Sequence, residues 1–373
     1  MIRNLILTII SLTVLSCAEV QERNVNVSLS FDEVLLPIPE GLTNDWAGAS
    51  FSIEDGKRRL HIYDPFQKII AQYSVDEKRV INILKPFSDT LNPGNSGISL
   101  KKIESGYFIK SALGFLHLSN DGKLYNRWDD FIARKNKIEN WIYSSKKRLS
   151  PSGNYLLSTS SATSTPLATE LANVYWEAVF REDFYDFDIL SNFDFTTGEL
   201  TTFPIRFPEK FNQNGKSYPT NFKFTFTGLN DNRIAYSFGI DENIHILDVK
   251  TGKVETHEVT NPNLPLKIYP IDNASFQNKD FFTYEYLANY THYYHLFYHP
   301  YWNGIIRMAV HLENGVNHRI YELINSDWEV VAQFEPPSTY FAIPIFFPNE
   351  IWFPYFLGYK PDEMKYYKVT IGE

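Results

Sequence analysis

Short strand-turn-strand units decide the fold of this chain, and the clearest is residues 60–73, LHIYDPFQKIIAQY. An apolar strand leads into Asp64-Pro65, and a second apolar strand follows. Asp and Pro favour turns, because the Asp carboxylate accepts hydrogen bonds from turn amides and the Pro ring fixes φ. The segment therefore predicts a β-hairpin.

The same design returns along the chain, in FLHLSNDGKL (115–124), FDFTTGEL (193–200) and ILDVKTGKV (246–254). In the last two an Asp precedes a Gly by four positions, which suits a turn whose Gly adopts a positive φ. The glycines Gly122, Gly198 and Gly252 are spaced irregularly, as expected for units of about 40 to 50 residues that carry insertions.

The composition also favours strands. The chain has 24 Tyr, 29 Phe and 7 Trp, and helical periodicity is scarce. Aromatic residues suit sheet faces, and radial repetition of small sheets leaves few exposed edges. The sequence predicts an all-β propeller of roughly six to eight blades, with seven favoured. Tandem β-sandwiches divided near residues 204–219 are the alternative.

The two ends of the chain resemble each other. KIIAQY (68–73) matches EVVAQF (329–334) in character, and YDPF (63–66) resembles YHPY (298–301). The separation equals about five or six blade-length units, which favours a repeat. We expect the first strand, residues 27–36, to close the ring beside residues 365–371.

One segment departs from the β pattern. From Thr165-Pro166 onward, apolar residues fall on one helical face, with Thr165 as cap and Pro166 at the first helical position. The sequence predicts a short inserted helix that includes Leu167, Leu171, Val174, Tyr175 and Ala178.

The amino terminus predicts export. Arg3 precedes an apolar run from Leu5 to Leu15, and Ser16 precedes Cys17, the single cysteine. The run is shorter than the about 20 residues that span a bilayer. It resembles a bacterial lipoprotein signal, which implies a signal peptide (1–16), a lipid such as palmitate on Cys17, a tether (17–26) and one folded domain (27–373). The alternative is a secretory signal with an unmodified cysteine.

Charge and motifs exclude several classes of function. A net charge of −9 argues against nucleic acid, which requires a clustered cationic surface. The chain has no nucleophile elbow, phosphate loop, dinucleotide fingerprint or His-Glu-x-x-His motif. We expect a monomer without cofactor or metal.

The densest cluster of functional side chains is residues 290–302, YTHYYHLFYHPYW. Aromatic rings with polar edges suit sugars or peptides, because the ring stacks while its edge forms hydrogen bonds. The candidate ligand-binding residues are Tyr290, His292, Tyr294, His295, Tyr298, His299, Tyr301 and Trp302. A zinc site is disfavoured, since His292 and His295 would project from opposite faces of a regular strand.

A second cluster contains only acidic side chains: Glu182, Asp183, Asp186 and Asp188. Two carboxylates held about 5 to 10 Å apart could hydrolyse a glycoside, and charges at a sheet edge are the simpler interpretation. The sequence assigns no catalytic residue here.

Four segments carry a resemblance: LSC (15–17), YHPY (298–301) with IIR (305–307), WEVV (328–331) and DEMKYY (362–367). In these the chain resembles a family of uncharacterised lipoproteins from Bacteroidota, single-domain proteins with propeller-like β structure. His299 departs from the family pattern, which has an acidic turn residue there. The resemblance implies no activity.

Together these observations predict an outer-membrane lipoprotein, periplasmic or surface-exposed. It would be a non-enzymatic propeller that is held to the membrane through Cys17 and binds an envelope protein, a peptide or a glycan. The alternative is an envelope hydrolase, either a glycosidase or a metal-dependent enzyme, that uses the acidic or histidine residues.

Overall fold

The computed structural model describes most of the chain between residues 28 and 372. The described residues are 28–38, 42, 48–64, 66–86, 99–111, 114–128, 149–158, 167–174, 188–193, 200–208, 212–213, 216–217, 224–229, 233–266, 270–272, 291–313, 316–336, 344–355 and 363–372. All of the regular structure described is β, and no described helix is long and apolar enough to cross a bilayer.

Six antiparallel sheets have four strands each, in the part of the chain described. Their strands follow the chain order, with one exception in the last sheet. Sheet I comprises β2 (Gly48–Glu54), β3 (Lys57–Asp64), β4 (Ile69–Ser74) and β5 (Arg79–Leu84), and sheet II comprises β6 (Ser99–Ile103), β7 (Gly106–Ser111), β8 (Gly114–Ser119) and β9 (Leu124–Trp128). Sheet III comprises β10 (Leu149–Ser158), β11 (Leu167–Val174), β12 (Leu190–Phe193) and β13 (Leu200–Phe203).

The second half of the chain repeats this plan. Sheet IV comprises β16 (Phe224–Gly228), β17 (Arg233–Phe238), β18 (Asn243–Asp248) and β19 (Val254–Glu258), and sheet V comprises β21 (Thr291–His299), β22 (Gly304–Glu313), β23 (Val316–Ile324) and β24 (Val330–Phe334). Sheet VI comprises β25 (Ile345–Phe347), β26 (Glu350–Tyr355), β27 (Glu363–Gly372) and β1 (Ser28–Pro37). A small additional sheet pairs β14 (Asn212–Gln213), β15 (Lys216–Ser217) and β20 (Ile271–Asp272).

The first strands of neighbouring sheets contact each other around a ring. The Lys102 amide of β6 donates to Ser50 Oγ of β2 at 2.9 Å, and the Leu296 amide of β21 donates to Thr225 Oγ1 of β16 at 3.0 Å. Strand β10 contacts both β6 and β16. On β25, Phe347 packs against Phe51 of β2, and Phe346 packs against His299 of β21. The sheets therefore follow one another as the blades of a propeller do.

The core lies between the sheets, where apolar faces stack on each other. One cluster joins sheets VI and I and includes Leu36, Leu60 and Trp352. Others join sheets I and II, sheets IV and V, and sheets V and VI. Sheets I, V and VI each contribute to two of these clusters and so bury both of their faces, which agrees with strands rich in aromatic and β-branched residues.

The predicted closing strand is confirmed. Strand β1 pairs antiparallel with β27 in one register along its length, with Ser28 opposite Gly372 and Leu36 opposite Met364. The amino-terminal strand is thus the outermost strand of the sheet that the carboxyl terminus builds.

The predicted turn chemistry is confirmed where it can be compared. Asp248 Oδ1 accepts the amides of Lys250 and Thr251 at 2.9 and 2.8 Å, and Gly252 has a φ of 71°. Gly122 also has a positive φ, 84°. Gly198 lies outside the described residues.

The predicted inserted helix is wrong for the residues that the structure describes. Leu167–Val174 forms strand β11, which pairs with β10 on one side and β12 on the other. A separation of four residues places Leu167 and Leu171 on one face of a helix and also on one face of a strand, so that their spacing fits both structures. Residues 167–174 form a strand because both of its edges are paired, one with β10 and one with β12.

Two further expectations need correction. The described residues hold six four-stranded sheets, one fewer than the seven blades that the sequence favoured. The match between residues 68–73 and 329–334 does not mark equivalent strands, since β4 is the third strand of its sheet and β24 the fourth. The tandem-sandwich alternative does not fit the ring.

Candidate functional site

The predicted aromatic and histidine cluster lies on β21 and the turn that follows it. His292, Tyr298 and His299 are buried, whereas Tyr294, His295 and Trp302 are half-buried. Tyr301 is the most open of them, with 47% of its surface exposed. Tyr290 lies outside the described residues. Most of this cluster therefore packs inside the ring rather than forming an open surface.

A β-bulge changes the faces on which the histidines lie. Tyr293 is opposite Ala309, but His295 is opposite Met308, so Tyr294 is the additional residue. A bulge shifts the alternation of side chains by one position. His292, His295 and His299 consequently share a face with Val310, Met308 and Gly304, and the expectation that His292 and His295 project oppositely is wrong.

Sharing a face does not bring the three histidines to one point. The described residues contain no group of three or more His, Cys, Asp or Glu side chains placed to hold a metal ion. His295 contacts the rings of Tyr294 and Phe297, and His299 contacts Phe346 of sheet VI. Their neighbours are aromatic rings of the interface between sheets V and VI.

His299 has a structural role that explains its place in the YHPY segment. Its Nδ1 accepts the amide of Trp302 at 3.1 Å, and Asp64 Oδ1 accepts the amide of Gln67 at 2.9 Å in the corresponding turn. Both turns end in a residue with a φ of 54°, Asn303 and Lys68. A neutral imidazole thus replaces the expected acid as the turn acceptor.

Burial keeps His299 neutral. The side chain has no exposed surface, and desolvation lowers its pKa to about 4. A neutral ring can accept a hydrogen bond at Nδ1, which a protonated ring cannot. The low pKa keeps Nδ1 of His299 unprotonated, as its hydrogen bond from the Trp302 amide requires.

Of the acidic cluster, Asp188 alone is described. Its carboxylate pairs with Arg206 at 2.9 Å on an exposed edge. Glu182, Asp183 and Asp186 lie outside the described residues, as does Cys17.

A polar relay that no sequence motif indicated connects sheets I and II. Gln72 Nε2 donates to the Tyr107 hydroxyl at 2.6 Å, and that hydroxyl lies 3.0 Å from His61 Nδ1. His61 Nε2 lies 2.8 Å from Ser52 Oγ, which donates to Glu54 Oε1 at 2.9 Å. Every group is satisfied if Tyr107 donates to Nδ1 and His61 Nε2 donates to Ser52, and we assign this arrangement.

The relay ends on a carboxylate that stays ionised. The proximity of His61 Nε2, 3.4 Å from Glu54 Oε1, the hydrogen bond from Ser52 and the charge of Lys102 hold the pKa of Glu54 at about 2, against the opposing effect of burial. Burial lowers the pKa of His61, so this histidine is neutral. The residues are far apart in sequence, and only the alternation of their strands could have indicated a shared face.

A second network that the sequence did not indicate joins sheets IV and V. Arg307 and Glu322, both without exposed surface, pair at 2.7 Å. Arg307 also donates to the carbonyls of Glu242 and Val259 at 3.0 and 2.8 Å, and stacks on Tyr293 at 3.6 Å. Asn261 Nδ2 donates to Glu322 Oε1 at 2.7 Å. These bonds compensate the buried charges.

Comparisons with known proteins bear on the fold. A member of the DUF4221 family from Bacteroides vulgatus aligns with a TM-score of 0.60 and 13% identity, over 93% of this chain and 99% of that one. A protein assigned as exported, from Bacteroides fragilis, gives a TM-score of 0.47 and 8% identity over 92% and 96%. Regucalcin from Agrobacterium tumefaciens, a calcium-binding protein, gives 0.38 and 10% over 87% and 90%.

The first of these alignments shows a common fold, and its low identity shows nothing further. TM-scores below 0.5, as for the other two, do not establish one. No protein-family model matches the chain, and no curated protein matches it in sequence.

Proposed function

We propose that this protein is a cell-envelope lipoprotein, anchored through lipid on Cys17, whose propeller binds an envelope protein, a peptide or a glycan. The observation that carries the binding proposal is the turn between β21 and β22. In this turn the ring of Tyr301 is exposed next to half-buried Trp302. His299 fixes the turn by accepting the Trp302 amide and by contacting the Trp302 ring. Exposed aromatic rings on a fixed turn bind ligands with little loss of conformational entropy.

The buried members of the cluster support the turn rather than the ligand. His299 packs against Phe346, and Trp302 lies against Gly304, where an added Cβ would meet its ring at 2.6 Å. A metal-dependent hydrolase would need converging ligand side chains, and the described residues contain no group of three or more such side chains. Binding through Tyr301 is the function that this geometry favours.

A matched pair of variants tests the binding proposal. Tyr301→Ala removes the exposed ring of the His299 turn, and Phe66→Ala removes the ring at the same position of the Asp64 turn, which is 60% exposed. We expect Tyr301→Ala to weaken retention on a glycan or peptide array by tenfold or more, about 1.4 kcal/mol, and Phe66→Ala to leave it unchanged. Equal retention by both variants and the parent protein would end the proposal.

The anchoring proposal has its own test. Metabolic labelling with an alkyne fatty acid should modify the parent protein and leave Cys17→Ser unlabelled, with the variant recovered from the soluble fraction. An unmodified thiol on exported protein would contradict lipidation and support the plain secretory signal.

A further inference from the structure

Two histidines lie directly opposite each other near the turn between β22 and β23. The antiparallel register pairs His311 of β22 with His318 of β23, and their ring centroids are 6.4 Å apart. Opposite residues of an antiparallel pair project from the same face of the sheet. His311 is half-buried, and 29% of the His318 side chain is exposed. The two imidazoles therefore share one partly open surface.

Each ring is held at its Nδ1 atom by a side chain from a flanking strand. His311 Nδ1 lies 2.7 Å from Thr291 Oγ1 on β21, and His318 Nδ1 lies 3.0 Å from an oxygen of Glu335, which directly follows β24. Because sheet V has the order β21-β22-β23-β24, these two partners lie on opposite sides of the central strand pair. The Nδ1 atoms thus point away from each other, which leaves the Nε2 edges of the rings for the space between β22 and β23.

Both Nε2 atoms are available as ligands. Within the part of the chain that the structure describes, no hydrogen bond or ion pair involves Nε2 of His311 or of His318. A histidine that binds a metal ion through one nitrogen has its other nitrogen oriented by a hydrogen bond, most often to a carboxylate. The contact between Glu335 and His318 is of this kind. The two rings are therefore oriented as metal ligands are.

We propose that His311 and His318 bind one divalent transition-metal ion between their Nε2 atoms. Neutral imidazole suits Zn²⁺, Ni²⁺ and Cu²⁺, whereas Ca²⁺ and Mg²⁺ prefer oxygen ligands. Zinc–nitrogen bonds are about 2.0 to 2.1 Å long, so a shared ion holds two ring centres about 5 to 6 Å apart. Rotation of the two side chains by about 1 Å closes the remaining gap.

The protein supplies two ligands to this ion. The described residues contribute no third His, Cys, Asp or Glu side chain that would complete a metal-binding group, so water fills the remaining positions. Such a site differs from a closed structural zinc site, which has four protein ligands, because its ion stays exchangeable and open to a further ligand. The site lies at the opposite end of β22 from the Tyr301 turn and goes beyond the binding function proposed above.

Equilibrium binding to the purified protein without a histidine tag tests the proposal. The Cys17→Ser background removes the thiol as a competing ligand. We expect one Zn²⁺ per chain in competition with a chromogenic indicator, and tighter binding of Cu²⁺, as the stability order of divalent metals requires. Absence of stoichiometric zinc binding, or displacement of zinc by an excess of Ca²⁺, would overturn the proposal.

Single variants connect the binding to the two histidines. His311→Gln and His318→Gln should each weaken zinc binding by about tenfold or more, because each removes one of two ligands. His257→Gln is the matched control, since His257 is also a half-buried histidine on a strand, where it stacks on Trp328. This control should keep the affinity of the parent protein. Equal affinity of the parent and both site variants would contradict the assignment.

Electron paramagnetic resonance of the Cu²⁺-loaded protein identifies the ligands directly. We expect hyperfine coupling to two imidazole nitrogens in the parent protein and to one in His318→Gln. Glu335→Gln should keep the two-nitrogen spectrum and bind copper about tenfold more weakly, because Glu335 orients a ligand and does not bind the ion. A parent spectrum without coupling to two nitrogens would contradict the site.

Discussion

Loss of the buried Arg307–Glu322 pair is expected to have a large effect on stability. Arg307→Met leaves the buried Glu322 without its cationic partner and with the hydrogen bond from Asn261 only, and we expect the free energy of unfolding to fall by about 3 to 5 kcal/mol. The double variant Arg307→Met/Glu322→Leu should lose less, because it leaves no buried charge. Urea denaturation measures both free energies.

An exposed ion pair serves as the control for this prediction. Arg79 and Glu77 pair at 2.6 Å on the surface, where Arg79 is 67% exposed. Arg79→Met should change stability by less than about 1 kcal/mol, since water screens the pair. A loss as large as that of Arg307→Met would show that burial is not the cause.

His299 should make stability depend on pH. Its pKa is about 4 when folded and near 6.5 when unfolded, so between these values the unfolded chain binds more protons. The contribution of His299 to the free energy of unfolding is therefore fully present above pH 6.5 and decreases as the pH is lowered. Near pH 4 the free energy of unfolding has fallen by up to about 3 kcal/mol.

His299→Asn isolates that contribution. Asn325 Oδ1 accepts turn amides in the turn before β24, so an Asn at position 299 preserves the acceptor without a titrating group. We expect the free energy of unfolding to vary less between pH 7.5 and pH 4.5 in this variant. His318→Gln, at an exposed pair with Glu335, should keep the steeper dependence of the parent protein. An unchanged profile for His299→Asn would contradict the assignment.

At this scale the sequence indicated individual residues but not their partners. It identified a turn at Asp248 and Gly252 and a turn at His299 where an acidic residue is expected, because turn chemistry is local. It did not indicate that Arg307 meets Val259 and Glu322, or that Tyr107 meets His61. Those contacts depend on which faces of neighbouring sheets meet, and sequence spacing carries no such information.

Among the elements, β1 offers the clearest comparison of buried and exposed residues. Leu36 is 1% exposed in the core between sheets VI and I, and Leu35 is 44% exposed on the other face. We expect Leu36→Ala to cost about 2 to 5 kcal/mol and Leu35→Ala about 0.5 kcal/mol or less. Urea denaturation of both variants checks the register of this strand, because a shift by one residue would reverse the two effects.

The strands themselves were largely predictable, and the errors share a cause. Residues 60–73 and 246–254 form the predicted hairpins, because their turns and alternation agree. Residues 167–174 were predicted as a helix, and the bulge at Tyr294 was not foreseen. In both cases the pairing of neighbouring strands overrides the local pattern.

For the whole molecule, closure by β1 should determine thermal stability. Removal of residues 28–37 would leave sheet VI without its outermost strand and expose the apolar cluster around Leu36. We expect this deletion to lower the Tm by more than Leu36→Ala does. Removal of residues 18–26, the predicted tether, should leave the Tm unchanged, and a similar fall in both would argue against closure as the cause.

The ring was predictable as a class, whereas its count of sheets was not. Strand 27–36 was expected to meet residues 365–371, and the structure confirms that pairing. The count depends on how much chain lies between sheets, which hairpin motifs do not reveal. Of the predicted aromatic cluster, Tyr294 and Trp302 pack between sheets V and VI and Tyr298 between sheets IV and V, whereas Tyr301 is exposed, and ligand binding there stays a prediction.

The pairing of the first strand with the last also sets the timing of folding. A ribosome synthesises Ser28–Pro37 long before Glu363–Gly372, so a nascent chain has no partner for β1 until β27 has been made. Loop closure over almost the entire polypeptide is slow compared with hairpin formation. Newly made molecules are therefore expected to stay open until the strands of sheet VI have been made.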